Sequence, residues 1–156
     1  MRKLYPLAIL FVFFLFTNNA NAQSKVTLIT NEGIGSVNCN YYKYENADHT
    51  FSYCIDIIYK NQQFIYKQEQ DTIHLKSKAE IYKLTNDLKS GLLIINDEEK
   101  EMNIQNDGYT IFKNKGFSEN NFIVIAKTDM TIKAPLNKYF LNQLITWMDT
   151  IEFGKG

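Results

Sequence analysis

The apolar positions of this chain change period several times, and each change marks an element. The first apolar stretch has no period. It runs from Leu4 to Phe16 and is broken only by Pro6. Arg2 and Lys3 precede it, and Thr17-Asn18-Asn19 and Ala20-Asn21-Ala22 follow it. A basic start, an apolar run and an A-x-A end make a secretory signal. The run is shorter than the roughly 20 residues that a bilayer core requires. Residues 1–22 therefore read as a signal peptide cleaved between Ala22 and Gln23. Residues 23–156 read as a single globular α+β domain. The signal makes the mature chain an expected extracytoplasmic protein, periplasmic or secreted, and no later stretch is long and apolar enough to give it a stable membrane span.

Past Gln23, alternation dominates. Lys25–Thr30 is rich in β-branched residues and reads as a strand, with Asn31-Glu32-Gly33 as its turn. Ser36–Glu45 and Phe51–Lys60 read as a hairpin around Asn46-Ala47-Asp48-His49. Phe51, Tyr53, Ile55, Ile57 and Tyr59 fall on one side of the second strand, the pattern of a half-buried element. Gln63–Lys67 and Asp71–Lys76 are further strands. The period then becomes helical. Ser77-Lys78-Ala79-Glu80 is a capping box, Ile81, Leu84 and Leu88 follow at helical spacing, and Gly91 sits where a C′ glycine would stop the helix. This predicts a helix over 78–90. Leu92–Asn96, Lys100–Gln105, Tyr109–Lys113 and Asn121–Lys127 read as strands separated by short polar turns, and Met130–Ala134 as a last short strand. A second helix is expected over 138–151. Asn137 is its N-cap, Leu136 and Leu141 sit at the staple positions, and Phe140, Leu144, Trp147, Met148 and Ile151 form its apolar stripe. Gly154-Lys155-Gly156 reads as a loose tail. Short loops between successive strands imply antiparallel pairing. The expected fold is α+β: a largely antiparallel sheet of about seven to nine strands with two helices packed on it.

Composition narrows the function classes. Loss of residues 1–22 removes the chain's only arginine, Arg2, together with Lys3, and leaves fifteen basic against seventeen acidic side chains, a formal charge of −2. That is not the footprint of a nucleic-acid binder. Without arginine, phosphate or carboxylate would have to be held by lysine or backbone, which argues against a dedicated phospholigand site. Abundant Lys, Asn, Ile and Tyr point to an AT-rich genome, which accounts for the missing arginine.

The two cysteines, Cys39 and Cys54, are first a disulfide candidate in an exported chain. If the hairpin turn centres between Asn46 and Ala47, Cys39 stands directly opposite Cys54, within bonding range. A zinc site from Cys39, His49, Cys54 and His74 is the competing reading, but the spacing matches no finger pattern.

Catalytic signals are sparse. On its strand His74 points away from Glu69 and Asp71, and His49 lies in the hairpin turn. Asp97, Glu98, Glu99 and Glu101 lack the alternation and the glycine of a calcium loop. No serine lies in a G-x-S-x-G elbow, and Gly33-Ile34-Gly35 lacks the third glycine of a dinucleotide fingerprint. No catalytic residue, metal or cofactor is assigned, and a non-enzymatic role is favoured. The positive feature is aromatic: Tyr41, Tyr42 and Tyr44 share one strand, and tyrosine suits recognition surfaces. Because neighbours on a strand face opposite ways, Tyr41 is parted from Tyr42 and Tyr44. The expected function is a binding or interaction module of the cell envelope with an unknown protein or small-molecule partner, an immunity-type inhibitor being one form. An apolar-ligand carrier and an unrecognised hydrolase are the alternatives.

Overall fold

The computed structural model describes residues 25–61, 69–115 and 121–155. The segment expected to be a signal peptide, with its expected Ala22/Gln23 cleavage point, and the strand expected over Gln63–Lys67 lie outside the described residues. The chain forms β1 (Lys25–Ile34), β2 (Val37–Glu45), β3 (Phe51–Lys60), β4 (Gln70–Leu75), α1 (Lys78–Ile94), β5 (Asn103–Gln105), β6 (Tyr109–Lys115), β7 (Asn121–Lys127), β8 (Lys133–Leu136) and α2 (Lys138–Thr150). The class is α+β, and among the described residues the pairing is antiparallel throughout. The strands do not form one sheet, however. They form two four-stranded meanders, β1-β2-β3-β4 and β5-β6-β7-β8. Each meander is followed by a helix, so the same order of elements occurs twice.

The helices pack on each other, and both reach the two sheets. One continuous core joins Ile55, Ile57 and Tyr59 of the N-terminal sheet to Leu84 and Leu88 of α1 and to Leu141 and Leu144 of α2. Ile111, Ile123 and Ile125 bring the C-terminal sheet into the same cluster. The side of the N-terminal sheet that meets this core is its inner face.

Local chemistry explains most element ends. The Ser77 hydroxyl accepts from the Glu80 amide at 3.2 Å, and Asn137 Oδ1 accepts from the Phe140 amide at 2.9 Å. Each cap is worth about 1 kcal/mol. The Glu80 carboxylate reaches back to the Lys76 amide at 2.7 Å. That bond, with Ser77, holds its pKa below the usual carboxylate range.

Two expected breaks fail for physical reasons. The turn placed at Asn31-Glu32-Gly33 lies inside β1, which continues to the buried Ile34. A register shift between Leu28 and Thr30 inserts Ile29 as a bulge. The real turn uses Gly35 at φ +59°, where an added Cβ would lie 3.0 Å from the Phe140 ring. Gly91 does not stop α1 but sits inside it, buried, where a Cβ would come within 2.9 Å of Ile123. It serves close approach of helix to sheet. The strand expected over Leu92–Asn96 is therefore the last helical turn and the bend after it.

Candidate functional site

The β2–β3 register decides what the site contains. Glu45 pairs with Phe51, so the hairpin loop is Asn46–Thr50 and its centre is Asp48. Asp48 holds the loop: its carboxylate accepts from the Thr50 amide at 3.0 Å and from the Thr50 hydroxyl at 2.6 Å, while His49 takes φ +62°. This differs from the centre assumed for the disulfide. Cys39 stands opposite Ile57, and Cys54 opposite Tyr42. An odd shift moves every side chain of one strand to the other face. In this register Cys39 and Cys54 lie on opposite faces, and in this structure the two are not bonded to each other.

The tyrosines divide as their spacing requires. Tyr41 lies on the inner face, 3% exposed. Its hydroxyl accepts from the Gly154 amide at 2.9 Å and donates to the Lys155 carbonyl at 3.2 Å, and its ring stacks on Phe153. The tail that reads as loose is tied to β2 through this one side chain. Burial pushes the Tyr41 phenol above its ordinary range. Tyr42 and Tyr44 lie on the outer face, half-buried, with ring centroids 6.2 Å apart. Tyr42 pairs across to Leu28 and Tyr44 to Val26, which are 51% and 52% exposed. These four residues form a contiguous apolar-aromatic block along the β1–β2 ladder. Beside it, the Asn31 amide donates to Asn40 and the Asn40 amide donates to the Tyr42 hydroxyl at 2.9 Å.

A second group lies on the same face. Cys54 and Asp56 sit two positions apart on β3, and Asp56 stands directly opposite His74 on β4. The Cys54 thiol donates to Asp56 Oδ1 at 3.2 Å, and His74 Nδ1 lies 2.7 Å from the same oxygen. Cys54 is buried, Asp56 partly buried, and the His74 side chain 56% exposed. Burial first, and then the bond to Asp56, push the Cys54 thiol up to about 12. The group lines a groove of about 720 Å³ with Tyr44, Ser52 and Lys76.

Sequence reasoning missed this group because it searched for a carboxylate along the strand of His74. The partner lies across the ladder instead. The sequence cue is Cys-Ile-Asp in an alternating strand, and it gains meaning only once register sets the histidine opposite. Of the four zinc candidates, the fold unites Cys54 and His74 alone. Cys39 faces the core, and His49 sits in the loop, 3.3 Å from Glu45.

The order of contacts bears on chemistry. In a nucleophilic triad the imidazole stands between nucleophile and carboxylate, so that it can take the nucleophile's proton. Here the carboxylate stands between thiol and imidazole. A thiol held neutral beside a carboxylate is a poor nucleophile. Among the described residues, the acidic turn is structural: Asp97 pairs with Lys100 at 3.0 Å, and the Asp97 carbonyl accepts from the Lys113 ammonium. No helix among the described residues is long and apolar enough to cross a membrane. Comparison with protein families, curated proteins and solved structures finds no match for this chain.

Proposed function

We propose that this protein is an exported binding module of the cell envelope that engages a partner protein through the outer face of β1 and β2. The observation that carries this reading is the block of Val26, Leu28, Tyr42 and Tyr44, two aliphatic side chains half in solvent beside two stiff aromatic ones. Exposed apolar patches on a sheet face mark interaction surfaces, and tyrosine supplies contact area at small entropic cost. Among the described residues β1 is an edge, paired to β2 alone. A long edge strand invites an extended segment of another chain, whose alternate side chains would fall on Val26 and Leu28. Fully buried Leu84, Leu88, Leu141 and Leu144 fill the space between helices and sheets, which favours a surface partner over an enclosed apolar ligand.

The test is site-specific crosslinking in the producing cells. A photoreactive residue at Leu28 is expected to give one discrete protein adduct. The same residue at Tyr82, which is 71% exposed on α1, is expected to give none. Equal labelling from both positions, or no adduct from position 28, overturns the reading.

A further inference from the structure

We infer that Cys54, Asp56 and His74 form a binding site for one borderline-soft divalent cation of the Zn²⁺ class. Their donor atoms, Sγ, a carboxylate oxygen and an imidazole nitrogen, all lie within 4.8 Å of one another. Bond lengths of about 2.0–2.3 Å give a tetrahedral zinc site donor separations of roughly 3.4–3.6 Å. The 3.2 Å from Cys54 to Asp56 is a few tenths of an ångström shorter, and the 2.7 Å from Asp56 to His74 is shorter by somewhat under 1 Å. Small side-chain rotations therefore open the group to admit an ion where protons now hold it together.

The scaffold suits the task. All three ligands stand on paired strands, and the β3–β4 register fixes Asp56 against His74. The donor set sets the preference. A thiolate with an imidazole selects zinc-like ions over calcium or magnesium, which want oxygen alone. Three protein ligands leave a fourth position for water on the exposed side of His74. Lys76 and Glu80 both act electrostatically on Cys54, in opposite senses. Glu80 is engaged with the Lys76 amide and Ser77 and is not a ligand. Binding is written as replacement: the cation takes the thiolate, the carboxylate and the neutral imidazole through Nδ1, the thiol proton leaves to solvent, and the imidazole proton sits on Nε2, exchanged through solvent from Nδ1. The site is independent of whether the β1–β2 block meets a partner.

Titration of the purified protein with Zn²⁺ and with Co²⁺ tests the inference. One equivalent of Co²⁺ is expected to give a thiolate-to-metal charge-transfer band together with the intense visible absorption of a four-coordinate ion. Cys54→Ser should abolish the charge-transfer band. Cys54→Ser and His74→Ala should each weaken Zn²⁺ binding by at least about tenfold, the least that loss of a ligand costs when outer partners alone cost that much. Zn²⁺ should raise the melting temperature of the parent protein and not that of His74→Ala, a variant at an exposed position that keeps the core intact. His49→Ala should leave all three readouts unchanged. A spectrum without the thiolate band, Zn²⁺ binding that survives in both variants, or no binding at all overturns the assignment.

Discussion

The two faces of the N-terminal sheet are built from the same strands, yet they do different work. On the inner face Cys39, Ile55, Ile57 and Tyr59 are between 0 and 1% exposed and belong to one apolar cluster. On the outer face Asn40, Tyr42, Tyr44, Asp56 and His74 stand at the intervening positions, linked by hydrogen bonds and ring contacts. The inner face is redundant, since many neighbours share each contact. The outer face is specific, since Asp56 Oδ1 meets both a thiol and an imidazole. The apolar core lies on one side and the thiol–carboxylate–imidazole group on the other, one residue apart along each strand.

The widest contrast is expected between neighbours on β3. Ile57→Ala removes a fully buried side chain and should cost about 2–5 kcal/mol. Ile58→Ala, on the half-buried outer face, should cost less than about 1 kcal/mol. Denaturant unfolding of the two variants measures the difference. Equal losses would mean that the outer face is packed like the inner one, and the comparison would collapse.

That contrast also explains what the sequence could reveal. Alternation along Phe51–Lys60 named the strand and its buried side, because period 2 is a property of one strand alone. The caps at Ser77 and Asn137 were legible for the same reason: a cap is local. Register is not local. It depended on where Asn46–Thr50 turned, and the Asp48 side chain that accepts from Thr50 fixed a centre that a shorter loop did not. The register that set Cys39 opposite Cys54 failed at that step, and the Cys54–Asp56–His74 group stayed hidden at the same step. The end of α1 was misread because four apolar residues, Leu92 to Ile95, fit helix or strand equally, and only contact with Ile123 explains why Gly91 is tolerated mid-helix. The division into two sheets has no signature in strand lengths or loops.

One substitution made on both faces sharpens the comparison further. Cys39→Ser places a hydroxyl where a fully buried thiol lay among apolar side chains, and should cost roughly 1–3 kcal/mol. Cys54→Ser keeps a donor for Asp56, and in the absence of added metal should cost only a few tenths of a kcal/mol. The pair also tests the β2–β3 register. Were the cysteines bridged, both substitutions would cost similar and larger amounts, and non-reducing mass analysis of the parent protein would show a loss of two protons.

The smallest effect concerns pH. Burial first, and then the Glu32 carboxylate opposite it on β1, push the Cys39 thiol up to about 12. A thiol whose folded value lies above its unfolded one stabilises the fold fully below the unfolded value. It loses that contribution as pH rises toward the folded value. The unfolded chain ionises this thiol near pH 9 while the folded chain keeps it neutral, so the loss should reach about 1 kcal/mol by pH 10. Other groups titrate in the same range, so the measured quantity is the difference between the parent protein and Cys39→Ala across pH 7–10. Cys39→Ala should start less stable and close part of the gap as pH rises. A gap that stays constant would mean that the Cys39 thiol ionises in the folded state as readily as in water, and the inner face would then not be the sealed side that its burial describes.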